Sequence, residues 1–372
     1  MGHIAQAAMV LTVFAGISKI SGFFREMTVA AIFGVSPEVD AFLVAAVIPF
    51  LLTGFFQRAI PAIVIPLYHD ACQESQAAGN KLAQSVLGVV VFFSVVLMAA
   101  GYSGAGLLVR LIAPGFSPDM LELTVKMLYW LLPLVLLNNC RDVLGALQQA
   151  HRVFLWSSLG PVAVNLVTIS GILLFYTTYG IKVAALATLL AGIAQLLVQA
   201  AGMGRCPVKL TGKFALLPRK DCRKLAMLAF PIFMSVMLTQ INVIVERNFA
   251  SALPGGTIAV LNYAQKLQVL FFAFCGAPLI TAVFPDITRR LSAADTAGAR
   301  RLMIKTVKMI IVLTVPVSVV LSFFPEVLVR LIFQHGNFSS EATVQTALVL
   351  RYYAFGLVQY GLMDFFFRYF AA

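Results

Sequence analysis

The chain is a succession of apolar stretches broken by short turn-rich pieces: GVSPEVD (34–40), APGFSPD (113–119), LPGGT (253–257) and QHGNFSS (334–340). A mostly apolar stretch of roughly 20 residues is what one helical crossing of a bilayer requires. Inside hydrocarbon the backbone must satisfy its own hydrogen bonds, which a helix does. Ten such segments can be drawn, at about 5–33, 40–68, 83–113, 121–149, 155–178, 183–204, 224–251, 257–287, 303–333 and 343–371. Those near 30 residues should tilt or protrude beyond the hydrocarbon. Hydrophobic residues make up 60% of the chain and charged residues 11%, whereas a soluble domain carries about a quarter charged residues. The predicted class is an all-α polytopic membrane protein.

Charge is confined. The net charge of +12 does not point to nucleic acid, because the positive residues gather in short loops. One side carries Lys81, Arg152, Arg205, Lys209, Lys213, Arg219, Lys220, Arg223, Lys224, Arg289, Arg290, Arg300, Arg301 and Lys305; the other carries Lys182 and little else. The positive-inside rule puts the basic loops and the N-terminus in the cytoplasm, where the loops also meet anionic lipids. No Gly-rich phosphate loop accompanies them, so nucleotide binding is not expected. The five cysteines and four histidines show no metal or disulfide spacing; Cys140 and Cys275 read as packing residues, and no cofactor is expected. The start, MGHIAQAAMV, lacks a secretory leader and runs straight into the first span, and Gln6 breaks the N-terminal lipidation pattern. The last residues, MDFFFRYFAA, lie inside an apolar run, which suggests an incomplete chain or a shortened family member.

An internal repeat organises the spans. LVRLI occurs at 108–112 and again at 328–332, each time at the end of a long apolar helix and before a turn. IPLYHD (65–70) and FPDITRR (284–290) precede them at nearly the same offset. The expected division is a six-span N-lobe at 1–204, a basic cytoplasmic linker at 205–223 and a C-lobe of about four spans at 224–372. The lobes would be related by an axis along the membrane normal. Arg110 and Arg330 would occupy equivalent outer helix ends and reach to the interface.

Some charges remain inside the spans, where each costs about 2.5–3.5 kcal/mol on insertion scales. ISKISGFFREMTVAAIFGV (17–35) holds Lys19, Arg25 and Glu26. Lys19 and Glu26 lie on nearly one helix face, while Arg25 is expected to point about 100° away from Glu26. Gly22 between them would let another backbone approach. Asp40 opens the second span and Arg58 lies mid-way along it. Glu246 and Arg247 sit in the seventh span and Lys266 in the eighth, with Asp364 and Arg368 spaced to pair. Paired ions could simply staple helices together. That reading fits Lys19, Arg58 and Lys266 worst, because no carboxylate lies one turn away. A surplus of cations in both halves favours an anionic substrate, whose phosphates would offset the desolvation of several Lys and Arg side chains.

These residues carry a resemblance. SKISGFFREMTVAAIFGVSPEVDAFLVAAVIPFLL (18–52) resembles the opening signature of the MurJ/MviN lipid II flippases, of the multidrug/oligosaccharidyl-lipid/polysaccharide exporter superfamily. The matching positions are Ser18-Lys19, Gly22, Arg25-Glu26, Phe33-Gly34 and Asp40-Ala41-Phe42. APGF (113–116), GPVAVN (160–165), VERNFAS (245–251), LNYAQKL (261–267) and FQHGNFS (333–339) follow in family order. The resemblance implies fourteen helices in two six-helix lobes plus a C-terminal pair, of which this chain would end within the tenth. It implies a multi-pass protein of the bacterial cytoplasmic membrane, expected to act as a monomer. It would move an undecaprenyl-diphosphate-linked muropeptide outward by alternating access, in cell wall biogenesis. The family's cationic cavity maps onto Lys19 and Arg25, Asp40 matches an Asp, and Lys266 stands where the eighth helix usually has Arg, after Gln265 in place of Asp. Glu26 and Arg58 complete the candidate substrate site. The chain departs from the family after Pro49: the usual Asn-Leu-Leu-Arg-Arg is replaced by Phe50-Leu51-Leu52-Thr53-Gly54, with Arg58 a turn later.

With no nucleotide motif, energy should come from the membrane potential or an ion gradient. Two alternatives share the fold: an exporter of another lipid-linked glycan or of a cationic drug, and a non-transporting membrane paralogue. A drug antiporter wants a carboxylate-rich cavity, and here the excess is positive. A membrane enzyme would need clustered Asp, Glu or His at one face, which the sequence does not offer.

Overall fold

A computed structural model describes the backbone over residues 2–210 and 219–371, and side chains over 13–210, 232–367 and at Tyr369. Lys213 and the side chains of Arg219, Lys220, Arg223, Lys224 and Arg368 therefore lie outside the described residues, and so does the expected Asp364–Arg368 pair. Every regular element described is helical: α1 (Gly2–Phe33), α2 (Pro37–Glu74), α3 (Gln76–Ser103), α4 (Ala105–Ile112), α5 (Pro118–Leu131), α6 (Leu134–Ala150), α7 (Phe154–Tyr179), α8 (Lys182–Met203), α9 (Arg219–Ser251), α10 (Thr257–Cys275), α11 (Ala277–Ser292), α12 (Thr296–Phe323), α13 (Pro325–Phe333), α14 (Ser340–Phe355) and α15 (Leu357–Ala371).

The ten expected segments are all present, but five are broken rather than continuous. The breaks fall at Gly104, at Leu132-Pro133, at Gly276, at Phe324 and at Gly356. Their chemistry is plain: Pro133 and Pro325 bring no backbone N–H, and glycine stabilises a helix interior least. Among the described residues, seven helices are long and apolar enough to cross a membrane by length and composition. Their outer faces suit lipid: Leu174 is 70% exposed and Val312 68%, which water would penalise. The chain is a multi-pass membrane protein.

Helix starts follow from local capping chemistry. Ser36, Ser75, Ser117 and Ser339 each accept a bond from a backbone N–H three residues on, and proline follows Ser36 and Ser117. The repeat seen in the sequence is visible in the elements. LVRLI forms a short helix twice, in α4 and α13, each after a break that ends a 28-residue helix and before a serine-capped helix. Arg110 and Arg330 both lie in the last turn of their short helix, where Arg330 pairs with Glu326 at 2.9 Å.

The helices gather into two compact units, one of residues 1–29 and 36–258, the other of residues 30–35 and 259–372. The lobes expected from the repeat divide at 205–223, whereas packing groups α9 with the helices before it. The first unit has a core of Ile60, Ile63, Val64 and Leu67 from α2, Val86 and Val90 from α3, and Val143 and Leu147 from α6. In the second, Tyr263 of α10 packs on Phe333 and Phe338 around the α13–α14 turn.

Candidate functional site

The charged stretch of α1 is built around one ion pair. Arg25 Nη2 donates to Glu26 Oε1 at 2.7 Å, with Arg25 half-buried and Glu26 8% exposed. The expected divergence of the two side chains is thus overturned: the long guanidinium arm swings back across the 100° between them. Among the described residues Glu26 is the one partner of Arg25, so two of its nitrogens keep donors to offer. Lys19 is exposed and meets no carboxylate among the described residues. Gly22 does not receive another backbone as expected. It faces the Asn165 side chain of α7, whose Nδ2 donates to Ser18 O at 3.0 Å and Ser21 Oγ at 2.9 Å. The asparagine of GPVAVN therefore fixes the helix that carries Lys19 and Arg25.

Asp40 is placed differently. It is 3% exposed, and its Oδ2 accepts from Gly256 N at 2.7 Å. The same end of the first unit carries further ties between α9 and earlier elements: Gly115 N to Ser251 Oγ at 3.2 Å, and Asn248 Nδ2 to Leu111 O at 3.2 Å. A Cβ on Gly115 would lie 2.3 Å from Ser251 O, and one on Gly255 2.7 Å from Pro37. APGF, VERNFAS and LPGG are thus turn-to-turn contacts that glycine makes possible. The second unit shows the same logic. Asn337 Nδ2 donates to Ile32 O, Asn337 N to Ala31 O, and Tyr263 Oη to Gly34 O, with Gly34 and Gly336 both at positive φ.

Arg58 of α2 is exposed, and Lys266 of α10 is half-buried in the second unit. The departure after Pro49 has a packing reason. Thr53 is buried and bonds back to Pro49 O at 2.9 Å, and a Cβ on Gly54 would lie 2.2 Å from the Gln240 amide of α9. Neither position has room for an arginine. Among the described residues no group of three or more His, Cys, Asp or Glu could hold a metal.

Reading the sequence missed a heavily bonded charge in the first unit. Arg141 of α6 donates through Nε and Nη2 to Asp142 Oδ1, at 3.0 and 2.7 Å, and through Nη1 to Asn138 Oδ1 and Gln195 Oε1, at 3.2 and 2.9 Å. The available signal was an Arg-acid dipeptide in an apolar run, the same pattern as Arg25-Glu26.

Residues 29–372 match the family model described as "Lipid II flippase MurJ". The chain belongs to this family. It is 27% identical over 360 residues to a probable lipid II flippase MurJ of Rhizobium tropici, covering 93% of this chain and 66% of that protein. Against the lipid II flippase MurJ of Burkholderia cenocepacia it is 26% identical, over 96% of this chain and 71% of that one. The chain spans about two thirds of the length of these MurJ relatives. A solved lipid II flippase MurJ in an inward closed conformation superposes with a TM-score of 0.85 at 26% identity, covering 98% of this chain and 76% of that one. An inward-facing multidrug transporter of the MATE family shares the fold, with a TM-score of 0.75 at 14% identity over 98% of this chain and 86% of that one. The MurJ family is a transporter family, and the fold is that of the MurJ and MATE transporters.

Proposed function

We propose that this protein translocates lipid II, an undecaprenyl-diphosphate-linked peptidoglycan precursor, across the bacterial cytoplasmic membrane. The observation that carries the reading is the state of the α1 cations: among the described residues Arg25 is held by a single contact to Glu26, and Lys19 is exposed and meets no carboxylate. A diphosphate offers such groups strong charge-assisted hydrogen bonds. Lys19, Arg25 and Arg58 of the first unit would take the headgroup, and Glu26 would orient Arg25. In this reading the basic loops and the N-terminus are cytoplasmic, two lobes at 1–204 and 224–372 rock about the 205–223 linker, and one copy of the chain suffices. Asp40, tied to Gly256, acts with the Gly115–Ser251 and Asn248–Leu111 contacts as a latch that shuts the outer end while the substrate loads. No bond is made or broken in the substrate, and the membrane potential or an ion gradient supplies the energy.

The test is rescue of a cell depleted of its own lipid II flippase. Growth supported by this protein, and lost in Lys19→Ala with expression intact, is the expected result. Protein that reaches the membrane and never rescues growth would falsify the reading. A second reading, export of a different lipid-linked glycan, is favoured by one observation: Thr53 and Gly54 close against neighbours where the family's second span usually places arginines. Lysine at 19 and 266 also forfeits the two-pronged arginine geometry toward a diphosphate. Rescue of a polysaccharide exporter mutant in place of the lipid II flippase mutant would select it.

A further inference from the structure

Arg141 is bonded on every side, yet its partner is not. Both bonds from Arg141 fall on Oδ1 of Asp142, while Oδ2 is buried with no hydrogen-bond partner. A buried carboxylate oxygen with no donor is costly, and the ordinary remedies are a water or a proton. The orphan is one of a series. Asn139 and Gln148 are fully buried and Gln199 5% exposed, and each has a side-chain oxygen with no partner.

Asn139 faces Ser94 of α3; the others form a polar file between α6, α7 and α8. Arg141 bonds Gln195, which lies against Gly160 of α7. Gln199 follows one turn along α8 and also borders Gly160, and its carbonyl accepts from Gln148 Nε2 at 2.6 Å. Gln148 borders Gly202, which also touches Trp156, whose Nε1 is buried without a partner. The file thus runs from Asp142 to the ends of α6 and α8 beside the basic residues Arg152 and Arg205. Glycines at 145, 160 and 202 keep it open where other side chains would press on the glutamines.

We infer that this file is a water-lined proton route from the basic, cytoplasmic end, and that Asp142 is a protonation site at its inner end. A fixed Arg141 disfavours a metal cation there and leaves a proton as the ion that fits. Other charges on the packed helices stand elsewhere: Lys81 in the second turn of α3, Lys182 at the start of α8, Asp119 and the Glu122–Lys126 pair on α5, Glu38 and Asp40 in the first turn of α2, and His69, Asp70 and Glu74 near its end. The titratable groups of α7 are Tyr176 and Tyr179, at its far end. Arg58 of α2 is the exception. Tyr68 and His151 touch, and α2 and α6 run the same way, so Arg58 and Asp142, each about two and a half turns earlier, share one depth. Protonating Asp142 would release Arg141 from its ion pair at the depth of a candidate substrate cation. The inference goes beyond the proposed function and stands whichever lipid-linked glycan is carried.

The experiment uses carbodiimides, which add to protonated carboxyl groups, on the purified full chain in lipid nanodiscs without substrate. Peptide mass spectrometry reads labelling at Asp142, with Asp142→Asn as the control for assignment. The expected result is labelling by both a lipid-soluble and a water-soluble carbodiimide, rising about tenfold per unit fall in pH while the carboxyl is mostly ionised. Gln199→Leu and Gln148→Leu should each cut labelling by the water-soluble reagent at least about fivefold and leave the lipid-soluble reaction unchanged. Labelling of Asp142 by neither reagent at acid pH overturns the protonation site. Labelling by the lipid-soluble reagent alone, or indifference to both glutamine variants, overturns the aqueous route.

Discussion

Two Arg-acid dipeptides stand in apolar helices of this protein, and they behave differently. In α1, Arg25 makes one bond to Glu26 and stays 29% exposed along its side chain; in α6, Arg141 makes four bonds and is 17% exposed. Adjacent opposite charges lower the cost of both helices in lipid. What separates them is whether donors remain. Arg141 has given its donors to Asp142, Asn138 and Gln195, and so serves the fold. Arg25 keeps donors to spare, which the proposed function assigns to a ligand. A charge inside a span is therefore weak evidence of binding until its bonds are counted.

The largest expected effect falls on the filled pair. Arg141→Ala leaves Asp142 buried beside no cation, a loss of about 3–5 kcal/mol. Thermal unfolding in detergent should show a strongly lowered Tm, and an unchanged Tm would erase the distinction between the two pairs. Arg25→Ala also strands a buried carboxylate, Glu26, so it too should lower Tm; what sets it apart is affinity for a diphosphate lipid, which should fall about tenfold or more, the worth of one charge-assisted bond. Next comes a control that touches neither pair. Gly34 has a φ of 62°, and a Cβ there would lie 2.5 Å from Asn337 O; Gly34→Ala should cost about 1–2 kcal/mol of stability, read by the same melt. The smallest effect concerns the basic end. Burial, and then the charge of His69, hold the His151 pKa below its ordinary value while Tyr68 bonds its ring. The folded state then binds fewer protons than the unfolded one as pH falls through the ordinary histidine range near 6.5, so stability should drop there. Wild type should show a small acid-side fall in Tm that His151→Gln lacks.

Much of the fold could be read in the residues. Apolar length gave the spans, and the two LVRLI copies gave the repeated pair of short helices after a break. The breaks themselves were missed, because a glycine or proline in an apolar run looks the same whether the helix bends or stops. The site was legible only as a set of candidates. Lys19 and Arg25 stood out as candidates because they cost energy where they stand. The bond from Gly256 N to Asp40 could not be foreseen, since a backbone amide has no sequence signature. Arg141 was passed over although it repeats the Arg25-Glu26 pattern, and its bonds to Gln195 cross between helices in a register that one sequence does not disclose. The turn motifs were recognised as resemblance; their physical meaning, glycine turns pressed on neighbouring backbone, came from distances.

The most direct test is equilibrium binding of an undecaprenyl-diphosphate-linked muropeptide to the purified chain in nanodiscs, comparing wild type with Arg25→Ala and Arg141→Lys. The expected outcome is weakening of about tenfold or more in Arg25→Ala, with Arg141→Lys close to wild type. Equal affinities for wild type and Arg25→Ala would contradict the assignment of the α1 cations to the substrate.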